Sequence, residues 1–204
     1  MKNHIIIALF LVLSQFANAQ ESKKKVKFMA KVETRNAFVQ TRHVTFLTVR
    51  AGVEFRIPLR VGIGYSWMLS RFDSQLFDPS EYPQVGATAQ PRMRYAMMYG
   101  DYSFYKEDNW ELSVPVQIGI GETYYRSANR NRFANGLVVP LEAGVAVSYL
   151  FTRWVGFGVG LGYRFMLLGN KRVKENFTSP YYELKLNILL TEIFRGRKKK
   201  KKSG

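Results

Sequence analysis

Few residues in this 204-residue chain combine the types and spacing that chemistry needs. His43 and the Asp73-Ser74 pair offer a base, an acid and a hydroxyl. Such a set can carry out acyl transfer when the base activates the hydroxyl and the acid orients the base. No local motif joins the three, so no catalytic residue is assigned and the chain is expected not to be an enzyme. It has no cysteine, which removes disulfides and thiolate metal ligands. No cluster has metal-ligand spacing, and no metal or cofactor is expected. A second set is charged and interleaved with glycine and apolar residues: Arg50, Glu54, Arg56, Arg94, Glu111, Glu142, Arg164, Glu183 and Lys185. An isolated charge taken out of water costs many kcal/mol, so charges that share an enclosed space must pair. A third set, Arg126, Arg130, Arg132, Lys171, Arg172 and Lys174, falls in polar stretches. Ser127 to Gly136 carries arginines and no acid. Arginine grips phosphate as a bidentate fork, so phosphate is the chemistry this third set suits.

These sets need a scaffold, and the clearest part of it is Leu137 to Leu168. Leu137, Val139, Leu141, Ala143, Val145, Val147, Tyr149 and Phe151 are all apolar. The residues between them are Val138, Pro140, Glu142, Gly144, Ala146, Ser148 and Leu150. After Thr152-Arg153-Trp154 the pattern restarts: Val155, Phe157, Val159, Leu161, Tyr163, Phe165 and Leu167 alternate with glycines, Arg164 and Met166. Period two is the period of a strand, so this is a hairpin with one apolar face. The glycines from 156 to 162 alternate strictly and so line one face, which is not the form of a phosphate-cradling loop. Each apolar face matches the roughly 9–11 residues of a transmembrane strand. A lipid-facing apolar side and a narrow polar inner side are the pattern of a membrane β-barrel.

Eight alternating runs are predicted. They are Val26 to Arg35, Thr45 to Ile57, Arg60 to Ser70, Met93 to Tyr105, Trp110 to Arg126, the two strands of the hairpin, and Tyr181 to Phe194. In the fourth, Met93, Tyr95, Met97 and Tyr99 read as the outward set and Arg94 as inward, with a bulge at Gly100-Asp101 restoring the phase for Tyr102 and Phe104. Pro115 and Pro140 read as inward residues that remove a ladder donor, and a local bulge is expected at each. The odd connections are predicted long (Asn36 to Val44, Arg71 to Arg92, Ser127 to Gly136, Gly169 to Pro180) and the even ones short. That ordering predicts long outer loops and both termini on the periplasmic side. Arg35, Arg42, His43, Arg71 and Arg92 then join the third set in the outer loops.

The first 19 residues are expected to be a cleaved signal peptide: Lys2, the apolar run Ile5 to Leu13, and Ala17-Asn18-Ala19. A retained anchor is the alternative. A short basic segment, 20–25, precedes the barrel at 26–194, and 195–204 is expected to be a disordered polybasic tail. The net charge is +16, and the tail residues Arg195, Arg197 and Lys198 to Lys202 supply seven of it. Export as a barrel makes nucleic acid an unsuitable partner and directs the charge to anionic lipid headgroups and lipopolysaccharide phosphates. Aromatic residues make up 15% of the chain, as the girdles of a barrel require.

With Glu142 to Tyr149, then Trp154 to Phe165, the Val-Pro-Val segment around Pro115 and Tyr124-Tyr125, the chain resembles the small outer-membrane β-barrel proteins of the OmpA/OmpX-like superfamily. The resemblance implies an all-β, eight-stranded antiparallel up-and-down barrel in the bacterial outer membrane, monomeric, inserted by the outer-membrane assembly machinery. Phe194 resembles the closing aromatic of such barrels, although ten residues follow it. A wall-anchoring role is not implied. The function expected is structural or surface contact, with the lumen plugged by salt bridges and the outer loops on lipopolysaccharide. A narrow pore and lipid A-modifying acyl transfer or hydrolysis through His43 stand as alternatives. A soluble lipocalin-like barrel, apolar inside and charged outside, is the rival at the level of fold.

Overall fold

The computed structural model describes residues 27–39, 42–55, 57–74, 77, 80, 89–127, 131–152 and 155–188. They form eight strands: β1 Lys27–Val39, β2 Arg42–Glu54, β3 Leu59–Met68, β4 Ala89–Glu107, β5 Trp110–Ser127, β6 Arg132–Leu150, β7 Val155–Leu168 and β8 Ser179–Ile188. Each pairs antiparallel with the next, and β1 pairs with β8, from Ala30↔Ile188 to Ala37↔Tyr181, so the sheet closes into a barrel. The signal-peptide reading (1–19), the segment 20–25, the last part of the eighth run with Phe194, and the tail at 195–204 lie outside the described residues.

Polarity is inverted relative to a soluble barrel, which overturns the lipocalin-like alternative. Outside stand Ile63, Met98, Ile118, Ile120, Val145, Leu161 and Leu184, all well exposed. Inside are Lys31, Glu33, Arg35, Arg50, Glu142, Arg164 and Glu183, each 2% exposed or less. A lipid solvent rewards this arrangement and water does not. Aromatic pairs flank the apolar belt. At the end that carries the chain termini (the terminal end) Trp110 and Tyr149 have ring centroids 4.9 Å apart, and Tyr149 and Phe151 5.1 Å. Towards the opposite, distal end Tyr65 and Trp67 lie at 5.9 Å, and Tyr163 and Phe165 at 4.6 Å.

The terminal-end connections are short, 55–58, 108–109 and 151–154, as the spacing predicts. Asp108 takes a left-handed backbone (φ 50°) in the tightest of them, a conformation aspartate tolerates. At the distal end the long second and fourth connections are present, at 69–88 and 169–178, but the first and third are not long. Asn36 to Val39 pair with Arg42 to Thr45, so the predicted first loop is ladder and only 40–41 join the strands. Likewise β6 begins at Arg132, within the stretch predicted as the third loop.

The fourth strand requires a second correction. Met93, Tyr95, Met97 and Tyr99 point into the barrel at 1–4% exposure, whereas Met98 is 68% exposed. Tyr102 and Phe104 face out on the same parity as Met98. No slip occurs at Gly100-Asp101; the β3–β4 register runs unbroken from Leu59↔Tyr102 to Trp67↔Arg94. The irregularity in this strand lies between Ser103 and Tyr105. Tyrosine and methionine read as lipid-facing in a binary pattern, but a phenol that reaches a carboxylate is well placed in a polar lumen. The proline expectations divide. A register shift falls at Val139/Pro140, while at Val114 and Pro115 the pairing with β6 lapses and resumes in the same register, without a bulge.

Candidate functional site

Inward residues from all eight strands stack in the lumen. An eight-stranded barrel is only wide enough to be filled by side chains. Nearest the terminal end, the Arg60 guanidinium forks onto Glu111, with Nη2–Oε2 at 2.5 Å, and Ser103 donates to the same carboxylate at 2.7 Å. Glu54 takes Lys106 at 3.0 Å and Arg60 at 3.5 Å at the mouth. Lys31 donates to Asp101 at 2.5 Å.

Above this, Glu33 lies between Arg50 at 3.1 Å and Arg35 at 3.2 Å. Lys185 pairs with Glu183 at 2.7 Å, and Arg35 Nε donates to Glu183 at 2.9 Å. Arg50 also donates to the Gln117 side-chain carbonyl, and the Gln117 amide donates to Glu142. Glu142 is the hub. It accepts from Arg164 Nε at 2.5 Å, from the Tyr95 hydroxyl at 2.6 Å, and from Arg35. The cations also stack on rings: Arg164 over Phe46 at 4.2 Å, Arg50 over Tyr99 at 4.9 Å and Arg35 over Tyr181 at 5.0 Å. Small residues make the room. A Cβ added at Gly160 would lie 2.7 Å from Glu183 Oε1, so only glycine lets that carboxylate lie against β7.

Towards the distal end the filling becomes apolar. Phe46, Met68, Met93, Val138, Val173 and Phe177 form one buried cluster, and Phe77 packs against Tyr125 and Phe133 at 5.5 and 5.6 Å. The fourth connection folds inward to supply Val173 and Phe177, and Glu175 accepts a bond from the Tyr125 hydroxyl at 2.7 Å. Asn170 pins it by donating to the carbonyls of Ala134 at 2.8 Å and Thr123 at 3.1 Å. Those carbonyls flank the β5–β6 irregularity, where Ala134 itself has φ 53°.

Of the predicted lumen set, Arg50, Glu111, Glu142, Arg164, Glu183 and Lys185 are buried inside, and Glu54 sits at the terminal mouth. Arg56 lies outside the described residues. Arg94 is corrected: its side chain is on the outer wall, 40% exposed, paired with Glu122 at 2.5 Å. The phase of β4 decides this, since its inward places belong to the Met and Tyr set. Arg35, predicted in a loop, is fully buried and central. Lys31 and Glu33, which share the inward parity of the first run, are members, and so are Arg60 and Asp101. Arg60 shares the parity of the inward Gly62 and Gly64, and Asp101 lies opposite in parity to Tyr102 and Phe104. Both signals were available.

In the phosphate-suited set, Lys171, Arg172 and Lys174 are exposed on the fourth connection. Arg126 and Arg132 stand at the distal ends of β5 and β6, and Arg130 lies outside the described residues. His43 is exposed, 2.8 Å from the Tyr182 hydroxyl and edge-on to Phe38. Asp73 instead accepts from Gln90 at 3.3 Å, and Ser74 bonds to Tyr125. The three residue types are therefore held by different partners. Among the described residues no group of His, Asp and Glu is placed to hold a metal ion.

No family model matches the sequence, and no curated protein matches it. The fold, by contrast, has solved counterparts. Neisserial surface protein A superposes with a TM-score of 0.55 at 13% identity, over 80% of this chain and 94% of that one. The N-terminal β-barrel domain of Pseudomonas aeruginosa OprF superposes with a TM-score of 0.50 at 8% identity, over 80% and 98%. This chain thus has the fold of the small outer-membrane β-barrels.

Proposed function

We propose that this outer-membrane-type barrel is a closed, non-conducting surface protein, monomeric, with its distal end facing outward and a structural or surface-contact role. The observation that carries the reading is the lumen. Six buried cations (Lys31, Arg35, Arg50, Arg60, Arg164, Lys185) meet Glu33, Asp101, Glu111, Glu142, Glu183 and the mouth residue Glu54, and the apolar cluster around Phe46 and Phe177 lies above them. Ions crossing this lumen would have to break charge-assisted bonds throughout its polar length and then pass an apolar cap. The test is single-channel recording of the refolded full-length protein in planar bilayers. No discrete conductance steps are expected, and reproducible steps would establish the narrow pore instead.

At the distal end the exposed cations Arg132, Lys171, Arg172 and Lys174, with Arg126, support contact with lipopolysaccharide phosphates. The same reading makes the protein a non-enzyme, since His43 is engaged with Tyr182 and Phe38 on the wall. Closure of the sheet supports a monomer, because no strand edge is left to pair. Delivery by the outer-membrane assembly machinery belongs to this proposal as well.

A further inference from the structure

The outer wall of β3 to β6 departs from the plain apolar belt in one place. The exposed apolar run of β5 ends at Ile120, and Glu122, Tyr124 and Arg126 follow it. Here a groove of about 690 Å³ opens on the outside of the barrel, with Tyr65, Arg94, Ala96, Ile120, Glu122 and Leu137 among its walls. Its lower part is apolar and faces the lipid side, Ile120 being 59% and Leu137 52% exposed. Its upper part is charged. Arg94 and Arg132 both reach Glu122, at 2.5 and 3.6 Å, and both lie over the Tyr124 ring, at 6.0 and 4.7 Å. The side chains of both arginines stay about two-fifths exposed. An adjoining groove of about 390 Å³ shares Tyr65 and Arg94 and adds Trp67, Arg71, Arg92 and Arg126. Arg71 and Arg126 act on Arg92 as like charge upon like charge. Five guanidiniums thus stand along the two grooves, and two of them, Arg94 and Arg132, share the carboxylate of Glu122.

Such crowding is unfavourable unless an anion is present, and the position narrows which anion. A small soluble phosphate would leave the apolar floor without a partner. A fatty-acyl chain alone would leave the arginines without one. An amphiphile with several acyl chains and a phosphorylated sugar head meets both demands, and arginine rather than lysine suits the two-pronged geometry of phosphate. We infer that this groove seats one phosphorylated, multiply acylated glycolipid of the outer leaflet. The acyl chains lie against Ile120 and Leu137, and a phosphate sits at Arg94 and Arg132, with Tyr124 and Glu122 holding the two forks. The inference rests on the proposal that the distal end faces outward. It adds a defined seat on the side of the barrel, which takes in Arg132 and lies apart from the fourth-connection cations Lys171, Arg172 and Lys174.

The test uses full-length protein refolded in non-ionic micelles and titrated with bisphosphoryl lipid A, the fully dephosphorylated lipid, and phosphatidylglycerol, with bound lipid read by native mass spectrometry. Folding of each variant is checked by its heat-modifiable mobility on a gel. Wild-type protein is expected to prefer bisphosphoryl lipid A at least tenfold over both other lipids. The Arg94→Gln/Arg132→Gln pair should lose about tenfold for that lipid alone, the Lys171→Gln/Arg172→Gln/Lys174→Gln variant should lose less than that pair, and Lys106→Gln, at the opposite, terminal mouth, should stay within about twofold. If the Gln pair does not fold, Arg94→Lys/Arg132→Lys serves in its place, with a loss of about threefold from the missing fork geometry. Loss in the loop variant with retention in the groove variant would overturn the groove and leave loop contact standing. Equal binding of phosphatidylglycerol would overturn the choice of a glycolipid. No preference of the wild type for phosphorylated lipid A would overturn both the groove and the loop contact.

Discussion

Glu142 shows what one residue carries in this lumen. Two guanidiniums, a phenol and an amide converge on its carboxylate. A buried ion pair is not in itself a large net gain, because desolvation offsets most of the attraction. Removing one partner is another matter, since it strands the other. Glu142→Gln leaves Arg35 with Glu183 and Glu33 but leaves Arg164 with no carboxylate in contact among the described residues. The expected loss is about 3–5 kcal/mol, measured as the shift in urea midpoint of the refolded barrel in lipid vesicles. Glu142→Leu/Arg164→Leu should recover part of it, since the stranded charge is gone. Glu142 and Arg164 were legible from sequence because both sit opposite continuous apolar sets. Arg35 was not, because Asn36, Ala37 and Phe38 after it look like a loop until their pairing with Thr45, Val44 and His43 is seen.

At the scale of elements, β4 is where pattern and packing diverge. Its Met and Tyr residues satisfy the apolar half of a binary pattern as well as the outward sets of β2 or β7 do. What separates them is long-range: Tyr95 meets Glu142 and Arg164, residues 47 and 69 positions away. A local reading has no access to those partners, so it faces the distal half of the strand outward and needs a slip at Gly100 to accommodate the rest. The β6–β7 hairpin was readable because most of its inward residues, among them Glu142, Gly144, Ala146, Ser148, Gly158, Gly160 and Arg164, are small or charged. Two glycines make the contrast measurable. A Cβ at Gly100 meets nothing within 4 Å, so Gly100→Ala should leave the unfolding midpoint unchanged. A Cβ at Gly160 would press on Glu183, so Gly160→Ala should lower stability by about 1–3 kcal/mol, the usual cost of overpacking.

For the whole molecule, the direction in which the barrel faces can be read by labelling from outside the cell. The chain has no cysteine, so single introduced thiols report cleanly. Arg172→Cys, on the exposed fourth connection, should react with a membrane-impermeant maleimide on intact cells. Asn109→Cys, in the β4–β5 turn, should react only after the envelope is made permeable. The opposite pattern would invert the barrel and remove the basis of the glycolipid seat. The joining of β1 to β8 has a further consequence, for the order in which the molecule assembles. Arg35 and Glu183 touch across that seam although 148 positions separate them. Contacts between such distant positions come late, because the chain must first bear the entropy of closing so long a loop. Until the seam forms, β1 and β8 each expose a row of unpaired backbone groups, which hydrocarbon does not tolerate. Ring closure and entry into the bilayer should therefore be one concerted step, rate-limiting for folding and more sensitive to changes in β8 than to equal changes in the β6–β7 hairpin.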